Sequence, residues 1–202
     1  TELSLVTDAF RDHPDVIAVV GFNRRYSPLV QKAKFAIHRN GSPVVINYRV
    51  NAGYISSESW VQDLEEGGGR IIGEACHFLD LISYLSGSNI KSFDAVHIPV
   101  NGRSIKSEDN IIVTLSFENG SIGVLTYTSI GGKEMDKERI EIFTGNSSIV
   151  IDDFIEMQTY NSNENGLKLK KTDKGHMALV EELAKKIKGL DSLIVSFDQD
   201  IQ

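Results

Sequence analysis

Between Ile90 and Lys171 the chain offers a succession of short segments with strand composition: "IKSFDAVHIPV", "NIIVTLSF", "SIGVLTYTSI", "RIEIFTG", "SSIVID", "IEMQTY" and "GLKLKK". Several alternate with period two, and "FENGSI" places Asn119 and Gly120 in a tight hairpin turn. So many short strands in a row can satisfy their backbone groups only by pairing with one another. Upstream lie "SPLVQKAKFAIHRNG", a helix punctuated by Ser27, Pro28 and Gly41, then the strand "PVVINYRVNAG" and a helix over 70–86 that stops at Gly87. A last amphipathic helix, "KGHMALVEELAKKIKG", ends at Gly189. Helices first and a strand meander afterwards predict an α+β fold: a large, mostly antiparallel, open-faced sheet with helices on one face. Strands such as "VTLSF" and "VLTYTS" carry mixed apolar and hydroxyl faces. Either a partner subunit or solvent can cover that free side.

The first residues have another character. "ELSLVTDAFRDHP" has helical spacing of Leu3, Val6 and Phe10, and "DVIAVVGF" is continuously apolar, as a strand buried on both faces is. A helix feeding such a strand is half of a parallel α/β unit. With no initiator methionine and an abrupt end at "FDQDIQ", an excised fragment is expected. Residues 1–22 would be the last helix and strand of a Rossmann domain, and 23–202 a separate domain. A net charge of −7 argues against nucleic-acid or anionic-membrane partners. The single cysteine, Cys76, excludes an internal disulfide and a multi-cysteine zinc site. No apolar stretch is long enough to span a membrane, and no signal peptide is visible, so a cytoplasmic location is expected.

The segment "GGGRIIGEACHFLD", residues 67–80, concentrates the chemistry. As a phosphate loop it lacks the third glycine, which falls on Ile72, and Glu65 and Glu66 would repel a pyrophosphate. As a metal site it offers Glu74, His77 and Asp80, but residues three apart drift by about 60° around a helix and only neighbours can share an ion. No metal is expected, although a metal-dependent hydrolase on these three residues is a rival. On the helical wheel Ala75, Phe78, Ile82 and Leu85 form an apolar stripe with His77 and Asp80 outside it. His77 can exchange a proton near neutral pH, and Asp80 can hold its tautomer. A histidine that merely bonds a backbone carbonyl fits the same pattern, and the residues alone leave both open. Cys76 reads as a small apolar residue, and His176 as a helix start.

"VGFNRRYSPLV", the tryptophan and aspartate at 60 and 63, "GGG", "HFLDLISYLSG", "FENGS" and "FTGNSSIVIDD" occur in an order that resembles the glucose–fructose oxidoreductase and inositol dehydrogenase family (Gfo/Idh/MocA). "NYRVNAGYI", "SWVQD" and "GGGRIIGEACHFLDL" together resemble a subgroup associated with cell-surface sugar biosynthesis. The resemblance implies a Rossmann domain upstream that binds NAD or NADP, and a C-terminal domain that supplies substrate contacts and a homo-oligomer interface through its sheet. It implies hydride transfer at a hydroxyl of a sugar, nucleotide-sugar or cyclitol by the full-length parent. This fragment alone would be inactive. Residue by residue, it puts His77 in the proton-handling role, with Asp80 or Glu74 to orient it. Gly73 stands where the family commonly has an aspartate, which puts a two-carboxylate relay in doubt. Arg24, Arg25 and Tyr26 match the family's Arg-Arg-aromatic junction, with Arg24 toward the cofactor and Arg25 and Tyr26 toward substrate. Tyr54, Trp60 and Asp63 can contact a sugar by stacking and hydrogen bonding, although local packing explains Trp60 equally simply. Lys133, after "SIGG", can face the cleft or merely solvent. The alternative function is a non-catalytic sugar-binding or dimerisation module.

Overall fold

A computed structural model of the chain describes residues 2–13, 15–99 and 109–194. In order, α1 spans Glu2–Asp12, a short 3-10 turn Asn23–Tyr26, α2 Pro28–Asn40, β1 Val44–Asn51, a second 3-10 turn Trp60–Gln62 and α3 Gly69–Ser86. Then follow β2 Ile90–His97, β3 Asn110–Phe117, β4 Ile122–Thr128, β5 Glu138–Thr144, β6 Ser147–Asp152, β7 Glu156–Tyr160, β8 Leu167–Lys168 and α4 His176–Ile187. Residue 100, at the end of the segment expected as the first meander strand, lies outside the described residues.

The eight strands form one sheet in the order β2-β3-β4-β1-β5-β6-β7-β8. Every neighbouring pair is antiparallel except β1 and β4, which run parallel through Val45↔Ile122 to Asn51↔Thr128. The fold class expected from the alternation is the one observed. The hairpin between β3 and β4 turns on Gly120, whose φ of 84° suits glycine. Asn119 accepts from Ser121 N at 3.0 Å and donates to Ser86 O at 3.0 Å, which ties the turn to the end of α3.

Period-two alternation decides which side chains meet the helices. Ile46, Tyr48, Leu125, Ile140 and Ile142 point inward and are at most 1% exposed. The register puts the next residues on the far face, where Val45, Ile122 and Phe143 are 42–43% exposed and directly opposite one another. The inner face is covered by α2 through Leu29, Val30, Ala33 and Ile37, and by α3 through Ala75, Phe78, Ile82 and Leu85. Gly123 lets α3 approach β4, since a Cβ there would stand 2.3 Å from Ile82 Cγ2. Ser27 occupies the N-cap position of α2, but its hydroxyl makes no capping bond.

Residues 15–22 differ from expectation. The segment forms no strand, and Val16 and Ile17 are 55% and 42% exposed. A strand exists only through a partner's backbone, and the sheet's strands all lie further along the chain. α1 likewise leaves Leu5 and Val6 in solvent.

Inside the fold the sheet carries one charged cluster. Glu138 opens β5 with its carboxylate fully buried. Arg24 donates to it from both Nε and Nη2, each at 2.9 Å, Lys174 from Nζ at 2.6 Å, and Tyr48 through its hydroxyl. Arg24 also lies 4.8 Å over the Phe78 ring. The lead-in to α4 is drawn onto the same place. Asn23 Nδ2 donates to Lys174 O at 2.7 Å, and Gly175 passes so close that a Cβ would stand 2.4 Å from Asn23 O.

Burial alone would raise the Glu138 pKa, but Arg24 and Lys174 outweigh it and hold it at about 2, against 4.5 for an ordinary glutamate. Stability from this group is therefore complete above pH 4.5 and fades as pH falls toward 2. Thermal unfolding followed by circular dichroism should show Tm falling through that window, and Glu138→Gln should flatten this part of the profile. That substitution should itself cost about 3–5 kcal/mol, because it leaves Arg24 buried without its charge partner. Gly123→Ala should cost about 1–3 kcal/mol by overpacking against Ile82.

Candidate functional site

The glycine run first answers a packing need. At Gly67 a Cβ would stand 2.4 Å from Trp60 O and 2.8 Å from Val61 Cα, so only glycine lets the 3-10 turn rest on the start of α3. Gly68 and Gly69 have φ of 69° and 79°. Asp63 completes the turn, its Oδ1 accepting from Glu65 N at 2.9 Å and Glu66 N at 3.1 Å. No group of three or more His, Cys, Asp or Glu residues suited to a metal occurs among the described residues.

His77 stands one helical turn after Gly73. Its ring is half-buried and meets Phe22 edge-on, with centroids 5.8 Å apart. Nδ1 is buried and has no hydrogen-bond partner. Burial lowers the His77 pKa, and the positive charge of Arg24 lowers it further, while Glu74 acts in the opposite sense. The ring is thus biased toward its neutral form, which can accept a proton.

Asp80 is spoken for. Its two carboxylate oxygens each accept from Arg25 Nε at 2.9 Å, and Arg25 Nη2 adds a third bond. The tautomer-holding bond to His77 Nδ1 expected of Asp80 is not made, because the bidentate geometry of a guanidinium captures a nearby carboxylate first. Arg25 in turn lies 5.4 Å from the Phe22 ring and 5.9 Å from that of Tyr84. Arg24, expected to face a cofactor, instead spends its guanidinium on Glu138 inside the protein. Tyr26 is buried, at 7% exposure.

Glu74 turns to the opposite side of α3, toward β4 and β5. Tyr127 donates its hydroxyl to Oε1, Arg70 Nη2 reaches the same oxygen at 3.0 Å, and Lys137 Nζ stands 3.3 Å from Oε2. Burial pushes the Glu74 pKa up, but Tyr127, Lys137 and Arg70 together bring it below the ordinary value. Arg70 is itself buried and also donates to Gly53 O and, at 3.2 Å, to Ala52 O.

Two open grooves meet at Lys137, and Glu74 lines one of them. One, about 340 Å³, is lined among others by Trp60, Arg70, Gly73, Glu74 and Lys137. The other, about 440 Å³, is lined by Asn51, Tyr54, Lys133 and Lys137 among others. Ala52 and Lys137 belong to both. The structure thus gathers Glu74, Trp60, Tyr54 and Lys133 around one ridge, while His77 stands a turn further along α3 and lines neither groove. Trp60 and Tyr54 are 61% and 58% exposed, with ring faces free to stack.

Lys137, Arg70, Tyr127 and Glu138 were not singled out by sequence reasoning. The signal for two of them was present. Glu138 shares the inward phase of β5 with Ile140 and Ile142, and Tyr127 shares that of β4 with Leu125. A carboxylate on the apolar phase of a strand demands buried partners.

In an NMR titration of this chain, His77 should show a pKa below the usual 6.5. Glu74→Gln should lower it further, since that carboxylate favours the imidazolium.

Comparison with known proteins supplies the rest. A curated relative from Bacillus subtilis (strain 168), described as an uncharacterized oxidoreductase, YrbE, is 26% identical over 156 residues. The match covers 75% of this chain but only 44% of that protein, so the chain spans less than half the relative's length. The solved WlbA dehydrogenase of Bordetella pertussis, in complex with NADH and UDP-GlcNAcA, superposes with a TM-score of 0.70 at 18% identity, covering 95% of this chain and 59% of that one. A super-repressor mutant of Gal80p from Saccharomyces cerevisiae superposes with a TM-score of 0.76 at 14% identity, covering 96% and 58%. At such identities these structures share the fold. The family profile described as the GFO/IDH/MocA C-terminal domain matches residues 31–150, more than half of the chain, and the protein therefore belongs to the GFO/IDH/MocA family.

Proposed function

We propose that this chain is the substrate-binding part of a nicotinamide-dependent oxidoreductase, which moves a hydride between the cofactor and a hydroxyl-bearing carbon of a sugar, nucleotide-sugar or cyclitol. Family membership supports the class, and one local observation carries the chemistry: a half-buried imidazole, biased toward neutrality, on the helix that also walls a groove. In this reading His77 takes the hydroxyl proton as the hydride leaves, and returns it in the reverse direction. Arg25 and Asp80 hold the 23–26 turn against α3, and with it Phe22 against the His77 ring. Tyr54 and Trp60 supply stacking faces, and Lys133 a cation at the rim.

NAD or NADP would be held mainly by a Rossmann domain preceding residue 23. The exposed Leu5, Val6, Val16 and Ile17 support this, since that apolar surface calls for a covering lobe. The dinucleotide would supply the hydride acceptor. The open sheet face, with its row of Ile122, Val45 and Phe143, is the proposed homo-oligomer contact. No helix among the described residues is long and apolar enough to cross a membrane, and a cytoplasmic site of action fits the redox chemistry proposed.

One observation favours a second reading. Gly73 leaves the family's usual aspartate position without a side chain, and the Gal80p that shares this fold is a repressor. A sugar-sensing or dimerisation module would use the same grooves without proton transfer.

Replacing His77 by Ala in the natural protein that carries this chain separates the two. An enzyme should lose at least about 10²-fold in kcat with bound sugar retained. A loss near twofold, with NAD(P)H formation otherwise intact, would remove His77 from the chemistry. No nicotinamide reduction by the unaltered protein across sugars and cyclitols would favour the module.

A further inference from the structure

We propose that Lys137 and Glu74 together recognise a neutral vicinal diol on the ligand. This deepens the sugar-binding reading above and rests on it. The two groups project from different elements, Glu74 from α3 and Lys137 from the residue before β5, and meet with Nζ 3.3 Å from Oε2. The pair is half-exposed, with side-chain accessibilities of 39% for Lys137 and 28% for Glu74.

Each partner keeps capacity to spare. Oε1 of Glu74 is occupied by Tyr127 and Arg70, whereas Oε2 is approached by Lys137 alone among the described contacts. An ammonium has three donors, and only one is directed at Glu74. A donor and an acceptor therefore stand side by side over the groove. Adjacent hydroxyls match that pattern, since one can accept from Nζ while its neighbour donates to Oε2. Tyr127 and Arg70 lock the carboxylate in place, so little freedom is lost when the diol binds.

The surroundings fit the same ligand. Gly73 removes a side chain from the groove wall, and a Cβ there would meet only Gly67 O, at 3.6 Å. Trp60 offers an exposed aromatic face beside Ile55 and Val61 for the C–H face of a sugar ring. An anionic sugar fits less well. A ligand carboxylate attracted to Lys137 would lie against the Glu74 charge, and in a partly desolvated groove that repulsion is not screened away.

The test uses this chain with three probes: methyl β-D-glucopyranoside, myo-inositol and D-glucuronate, followed by ligand-observed NMR. A neutral probe should bind, and more tightly than glucuronate. Lys137→Met and Glu74→Gln should each weaken it by about 10-fold or more, the loss of one charge-assisted hydrogen bond. Lys137→Arg should keep affinity within about threefold, and Lys91→Met, which makes the same change in net charge on the exposed β2, should leave it unaltered. Unfolding curves accompany every variant, and the isosteric Glu74→Gln carries the test should Lys137→Met not fold. Three results would overturn the proposal: no neutral probe bound, affinity indifferent to both substitutions, or glucuronate bound more tightly than the neutral probes. Binding that depends on the pair, in a natural protein that transfers no hydride, would defeat the oxidoreductase reading and leave the diol site standing. A dehydrogenase indifferent to Lys137→Met and Glu74→Gln would do the reverse.

Discussion

A single buried carboxylate organises this protein. Glu138 sits at the start of β5 with no access to solvent, and an isolated charge there would cost more than the fold can supply. It survives because Arg24, Tyr48 and Lys174 converge on it from the 23–26 turn, from β1 and from the segment leading into α4. Three pieces far apart in sequence are thereby held at one point. The turn beginning at Asn23 has only four residues and no side-chain cap, so it depends on such side-chain anchors for its position. Once Arg24 is anchored inward, its neighbour Arg25 must face outward, where Asp80 receives it. Phe22 then lies against the His77 ring. The position of the proposed proton carrier thus depends on an ion cluster built around the start of β5.

The same helix divides its chemistry between two sides. His77 and Asp80 face the turn at 23–26, while Glu74 faces β4 and the Lys137 approach to β5. Gly73, one turn before His77 on the same helix, carries no side chain. The two proposed functions, proton handling and ligand recognition, thus fall to neighbouring residues that make no hydrogen bond to each other. The pKa values of both His77 and Glu74 are depressed, His77 by burial first and Arg24 second, Glu74 by Tyr127, Lys137 and Arg70 against the effect of its burial. Each is partly buried, and each is surrounded by a different set of cations.

Most of the fold was legible in the sequence. Periodicity and turn chemistry are local properties: alternation predicted the sheet, the Asn119–Gly120 pair its hairpin, and helical spacing the buried stripe of α3. What failed depended on partners. The apolar run at 15–22 has strand composition, but it pairs with none of the described strands. Arg24 and Arg25 look alike as a basic pair, yet one pairs with Glu138 on β5 and the other with the buried Asp80 on α3, because successive residues of a 3-10 turn point about 120° apart. Asp80 stands at the right spacing to assist His77, and a stronger competitor takes it. The glycine run at 67–69 does not read as a phosphate loop, but the sequence does not reveal its packing purpose either: Gly67 accommodates the chain's own backbone at Trp60. His77 was legible as a residue outside the apolar stripe, but its neighbour Phe22 was not, since nothing local links positions 22 and 77.

The parallel pairing of β1 with β4 has a consequence for how the molecule is made. β1 occupies the middle of the sheet, between strands that follow it by many dozens of residues, and both loops must close before it has any partner. During synthesis at ~5–20 residues per second, it would wait several seconds with Val44, Ile46 and Val50 uncovered. Only α2 and α3 are then available to shelter it. The two helices that later cover the inner face of the sheet thus act first as a nursery for the central strand, and a weakened α2–α3 contact would be felt as aggregation on the ribosome before it was felt as lost stability.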